Sequence, residues 1–74
     1  MKVRVMLRTN VIRERLIRKC KTQSWLAERL SVSTGYISQL LDGTRNPSAT
    51  IRQRFLDTFQ DCEFDDLFVI KGRK

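Results

Sequence analysis

Apolar residues along this chain recur with two different periods. From Lys2 to Leu7 they alternate. Val3, Val5 and Leu7 fall on one side and Lys2 and Arg4 on the other, the two-residue period of a short strand. Beyond Asn10 the spacing lengthens to three and four. Asn10 is placed to cap a helix beginning at Val11, with Ile12, Leu16 and Cys20 as its apolar stripe and Arg13, Arg15, Arg18 and Lys19 on the other faces. Thr22 reads as the next N-cap, opening a helix to about Leu30 that turns Leu26, Ala27 and Leu30 inward. After the tight connection Ser31-Val32, Ser33 caps a third helix running to Asp42. Its inward residues are Ile37, Leu40 and Leu41, and Gly43 is well placed to end it. The loop Thr44-Arg45-Asn46-Pro47 precedes a fourth helix, capped by Ser48 and striped by Ile51, Phe55 and Phe59. A turn around Glu63 to Asp66 leads into the β-prone run Leu67-Phe68-Val69-Ile70.

This pattern predicts a mainly all-α fold of four to five short helices with a strand candidate at each end. Strands this short are unstable singly. Either they pair as a small two-stranded sheet joining the N- and C-terminal segments, or both ends fray. No repeat, low-complexity tract or linker divides the chain, so 1–74 reads as a single domain. At 74 residues its core is marginal. Phe55, Phe59, Phe64 and Phe68 are expected in that core, Cys20 as a small core residue, and Trp25 as a partly buried brace between helices. Cys62 is ambiguous between core and surface.

Composition narrows the functional classes. Residues 1–54 carry twelve Lys/Arg against Glu14, Glu28 and Asp42, a balance of +9, whereas residues 55–74 total −2. A basic body with an acidic far end suits a polyanion approached from one side; a plain solvated surface or an anionic membrane would also account for the charge. The longest apolar run is Leu67 to Ile70, far short of the roughly 18 residues of a membrane span. With no signal-peptide pattern, the two cysteines are expected as reduced thiols in a cytoplasm. There is no histidine, the commonest general base and metal ligand. Neither a nucleophile–base pair nor a metal cluster nor a phosphate-cradling glycine loop is visible, so no enzyme, metal or cofactor is expected. Asp65-Asp66 reads as a solvated turn.

The third helix carries the chemistry of interest. With Ile37 facing inward, Gly35, Ser38, Gln39 and Asp42 cluster on the opposite side at 100° per residue. That face is short and polar and lacks the Lys and Glu that usually solvate a helix. It suits a major groove, where base edges display donors and acceptors, but it is also compatible with an ordinary exposed face. Gly35 is unfavourable in a helix yet removes bulk where a backbone approaches a ligand.

The neighbouring residues point to one family. Thr22-Gln23, Leu26-Ala27-Glu28, Leu30, Val32-Ser33, Tyr36-Ile37-Ser38, Leu40, Gly43 and Asn46-Pro47-Ser48 together resemble the helix-turn-helix of the lambda-repressor-like, Cro/XRE-type DNA-binding family. The dense match spans Thr22 to Pro47, with the helix-turn-helix core at 22–43, and a looser one extends from Asn10 to about Phe68. The resemblance implies that Leu26, Ala27, Leu30, Ile37 and Leu40 pack the two helices together. It implies that Ser33, Thr34, Gly35, Ser38 and Gln39 face DNA bases, and that Gln23, Arg45 and Asn46 hold phosphates. Ser31 stands where the family most often has Gly, so strain is expected in the turn. Lys21 stands where an apolar residue is common.

By this resemblance the chain is expected to be a cytoplasmic, nucleoid-associated, sequence-specific double-stranded DNA-binding regulator of bacterial, phage or mobile-element type. A repressor acting as a homodimer on its site is the leading form. The alternative is an antitoxin-like protein-interaction module in which DNA binding is secondary. For the first residues, the family reading adds a rival to the paired strand, with Lys2, Arg4 and Arg8 forming an arm on DNA.

Overall fold

In the computed structural model, which describes residues 3–72, β1 (Val3–Leu7) leads into α1 (Thr9–Lys19), α2 (Gln23–Leu30), α3 (Thr34–Asp42), α4 (Ala49–Thr58), α5 (Phe64–Leu67) and β2 (Phe68–Gly72). Lys2, expected in the first strand, lies outside the described residues, as do Met1, Arg73 and Lys74. The fold is mainly helical with one small sheet. β1 and β2 pair antiparallel, from Leu7 opposite Phe68 to Val3 opposite Gly72. Opposed residues share a face, so Val3, Val5 and Leu7 align with Ile70 and Phe68. That face is graded along its length. Leu7 and Phe68 are buried, Val5 is half-buried, and Val3 and Ile70 are exposed.

Arg8 fastens the base of the sheet. Its backbone N–H donates to the Leu67 carbonyl at 2.7 Å, and its Nε to the carbonyls of Asp65 at 3.0 Å and Phe68 at 3.2 Å. A guanidinium held on two main-chain carbonyls is a structural staple, so Arg8 does not belong to a loose arm. The same tether moves the start of α1. The Arg8 carbonyl already accepts from the N–H groups of Val11 and Ile12, so the helix begins at Thr9, and Asn10 lies inside it rather than capping it.

One apolar core joins the elements. Ile12 and Leu16 of α1, Leu26, Ala27 and Leu30 of α2, Ile37, Leu40 and Leu41 of α3, and Ile51 and Phe55 of α4 are buried together with Phe59, Leu67 and Phe68. Phe55 stacks near-parallel on Phe59, with ring centroids 6.3 Å apart, and meets Phe68 edge-on at 6.0 Å. These contacts lock β2 onto α4. Phe64 and Trp25 are half-buried against the same core. Among the described residues no polar or charged side chain is buried.

Three helices end in the same way. At Cys20, Ser31 and Gly43 the backbone turns left-handed, with φ of 58°, 59° and 82°. In each case the next N–H reaches back five residues, from Lys21 to Leu16, Val32 to Ala27 and Thr44 to Gln39, as in a Schellman motif. Gly43 takes the role expected of it. Cys20 does not: the left-handed turn swings its side chain off the Ile12–Leu16 stripe, and it is exposed rather than in the core. Cys62 is the buried thiol.

Non-glycine residues pay about 1–2 kcal/mol for the left-handed region, so Ser31 carries the strain expected in that turn. Ser31→Gly should therefore stabilise by about 1 kcal/mol or less, after the extra unfolded-state entropy of glycine is subtracted. Gly43→Ala should destabilise by about 1 kcal/mol. A Cβ there meets nothing within 4 Å, so the loss is purely conformational. Thermal melts of both variants check the opposite signs. Burial pushes the Cys62 thiol up from its ordinary pKa, outweighing the lowering influence of Arg15. A raised folded-state value means that its contribution to stability is full below the unfolded thiol pKa and lost as pH rises through the folded one. Native protein at mildly alkaline pH should thus label promptly with a thiol reagent at Cys20, and at Cys62 only on unfolding, as peptide mapping would show.

Candidate nucleic-acid interface

Two short helices joined by Ser31, Val32 and Ser33 form the centre of the molecule. Each begins on a hydroxyl cap. Thr22 Oγ1 accepts from the Trp25 N–H at 3.1 Å, and Ser33 Oγ from the Tyr36 N–H at 3.1 Å. Ala27, small and buried, lets α2 lie close to α3, and Leu26, Leu30, Ile37 and Leu40 are buried in the core that joins them. This fixes the rotation of α3 about its axis. The residues away from Ile37 are consequently exposed: Gly35, Ser38, Gln39 and Asp42; Thr34, one turn before Ile37, is exposed as the first residue of the helix.

The structure therefore brings four of the five expected base-facing residues onto one exposed helix face. The fifth, Ser33, is exposed at the head of that helix with its oxygen committed to the cap. Gln23 is exposed as the first residue of α2, and Asn46 is exposed in the loop after α3. Asp42 stands exposed without Arg45 as a partner. Among the described residues the ion pairs are Arg15–Asp61 at 2.6 Å and Arg18–Glu14 at 2.8 Å.

Arg45 instead folds back onto α3. Its Nε donates to Gln39 Oε1 at 2.9 Å, and its guanidinium carbon sits 5.4 Å from the centre of the half-buried Tyr36 ring. Charge counting could not separate this arginine from others with different work. Arg13 donates to the Leu41 carbonyl at 3.3 Å, Arg54 to Leu30 at 2.8 Å and Arg52 to Pro47 at 3.1 Å. Much of the basic body thus holds helix ends and loops. Lys21, just before α2, and Arg29, one turn beyond Trp25 within it, lie 5.4 and 5.9 Å from the centre of the Trp25 ring. Trp25 is therefore the half-buried residue expected, though with cations on its exposed side.

Gly35 stands out within the α3 face. A Cβ built there meets only Ser33 Oγ, at an ordinary 3.9 Å, and its backbone is helical with no positive φ. Nothing in the fold requires glycine at this position; as the second residue of α3 it lies in the first turn, where glycine costs less than the roughly 1 kcal/mol of a helix interior relative to alanine.

Among the described residues no helix is long and apolar enough to cross a membrane, and no group of three or more His, Cys, Asp or Glu could hold a metal ion. The chain matches no family model, no curated protein and no solved structure.

The free space around Gly35 yields a direct expectation. Gly35→Ala should raise stability by less than about 1 kcal/mol, because the residue lies in the first turn of α3, seen as a melting temperature up to a few degrees higher. An unchanged or lowered melt would mean that the fold itself needs glycine there.

Proposed function

We propose that this protein is a sequence-specific double-stranded DNA-binding regulator of the lambda-repressor-like, Cro/XRE helix-turn-helix type, with α3 as its recognition helix in the major groove. The observation that carries this reading is the exposed face Thr34, Gly35, Ser38 and Gln39. It is small and polar, and it contains a glycine for which the fold shows no need, since a Cβ there would meet only an ordinary contact with Ser33. A backbone that must approach a ligand closely accounts for such a residue.

Within this reading, the hydroxyl and amide groups of Thr34, Ser38 and Gln39 meet base edges, and the Thr34 methyl suits thymine. Gln23 at the head of α2 and Asn46 beyond α3 hold phosphates on either side, setting the register of the helix on the duplex. The protein acts by occupying its site in the cytoplasm, where both thiols stay reduced. Two copies bind together, because one module this small reads few base pairs.

The test is selection from a randomised duplex library, which should enrich a defined motif as two half-sites about 34–36 Å apart. Affinity should fall steeply with salt, with a log–log slope of roughly −0.9 per phosphate contact. Gly35→Ala, although more stable, should bind the selected duplex less tightly. Gln23→Ala should weaken all duplexes alike. Tight binding without an enriched motif would point to a non-specific role, and a footprint over one short asymmetric site would exclude the paired arrangement.

A further inference from the structure

The cluster Tyr36–Gln39–Arg45 adds a consequence that rests on this DNA-reading function. The loop backbone after α3 is pinned, because the N–H groups of Thr44 and Arg45 both donate to the Gln39 carbonyl, at 3.0 and 3.3 Å. The start of the Arg45 side chain is therefore fixed relative to Gln39. Its far end is fixed twice more, by the Nε to Oε1 hydrogen bond of 2.9 Å and by the Tyr36 ring beneath it.

This arrangement decides which hydrogen-bonding groups remain. A guanidinium has a side edge, made with Nε, and an end edge made of its two Nη groups. With Nε given to Gln39, the end edge keeps two parallel donors, and neither Nη has a partner among the described residues. Gln39 Oε1 already accepts from Arg45, so the amide's outward capacity is weighted towards its NH2. Both side chains thus present donors. Of the four bases, guanine alone shows two adjacent acceptors, N7 and O6, and no donor in the major groove. Adenine and cytosine place an amino donor there, and thymine a single oxygen beside a methyl.

Depth decides between base and phosphate. A phosphate contact needs charge and reach away from the helix. Arg45, though exposed, is folded back along the face of α3 instead, and its guanidinium lies at the tip of Gln39. A group bonded to the end of a base-reading side chain reaches the same depth in the groove.

The geometry points to Arg45 as a guanine-reading residue, oriented by Gln39 and Tyr36, in place of the phosphate role that the family resemblance implies. The arrangement is a preformed donor fork whose specificity depends on its two neighbours. Substituting lysine keeps the charge but loses both the fork and the stack on Tyr36.

The experiment starts from the duplex enriched by the parent chain, with each guanine replaced in turn by 7-deazaguanine, which lacks the N7 acceptor. At one guanine the replacement should cost the parent about tenfold in affinity and should cost Arg45→Ala nothing. Arg45→Lys should lose most of this discrimination while keeping the parent's salt dependence. Tyr36→Leu should reduce it at that position only. If Arg45→Ala instead weakens every duplex equally and makes the salt slope shallower by about one, Arg45 is a phosphate contact. The inference then fails while the regulator reading stands. If the parent enriches no motif, both fail, and that result appears before any variant is made.

Discussion

In helices of eight to eleven residues most backbone groups lie in a first or last turn, where the helix supplies no partner for them. A chain with so small a core has no depth in which to hide such ends, so each must be closed locally or by a neighbour. The N-termini of α2, α3 and α4 are closed by the hydroxyls of Thr22, Ser33 and Ser48. The C-termini of the first three helices are closed by left-handed turns. Arginines from other helices then reach the carbonyls near those ends: Arg54 of α4 at Leu30, and Arg13 of α1 at Leu41. Closing helix ends in this way also builds tertiary structure, because a guanidinium on a carbonyl holds two elements together at a fixed distance.

The exposed face of α3 depends on the same device. α3 is gripped on its inner side by apolar contacts, at its head by Ser33 and at its tail by the turn at Gly43 and by Arg13. Its rotation and its axial position are both set. Apart from the Cys62 thiol, every buried side chain among the described residues is apolar, so the polar chemistry of the chain lies almost wholly at its surface. The exposed strip of α3 is one place where that chemistry is short, uncharged over most of its length, and carried on a rigid element.

The middle of the chain was legible because its signals are local. A hydroxyl three residues before the N–H that it caps, followed by leucines and isoleucines at three- and four-residue spacing, announces α2, α3 and α4 almost to the residue. The terminal sheet was legible as one alternative, since period-2 patterning shows a strand but not its partner. The start of α1 was not, because Asn10 is a good capping residue on local grounds and only the distant tether of Arg8 to Asp65 and Phe68 overrides it. Cys20 hid its left-handed turn for a related reason: glycine advertises positive φ, and this residue adopts it under the pull of hydrogen bonds that the pattern does not display, whereas the turn at Ser31 showed only through the family resemblance, which sets glycine there. The placement of Arg45 on Gln39 follows from the chain reversal at Gly43, a property of the path in space rather than of spacing along a helix.

The sheet has a different kind of consequence, for how the protein is made. Val3 pairs with Gly72, nearly the whole described chain away. Closing so long a loop is entropically expensive until the intervening segments have packed, so the sheet forms after the helices it encloses. On the ribosome β1 emerges ahead of every other element described here, and its partner is synthesised last among them. Throughout synthesis the alternating Val3, Val5 and Leu7 present an unpaired strand. Arg4 between two valines is the kind of charged interruption that discourages such a strand from pairing with the wrong neighbour while it waits.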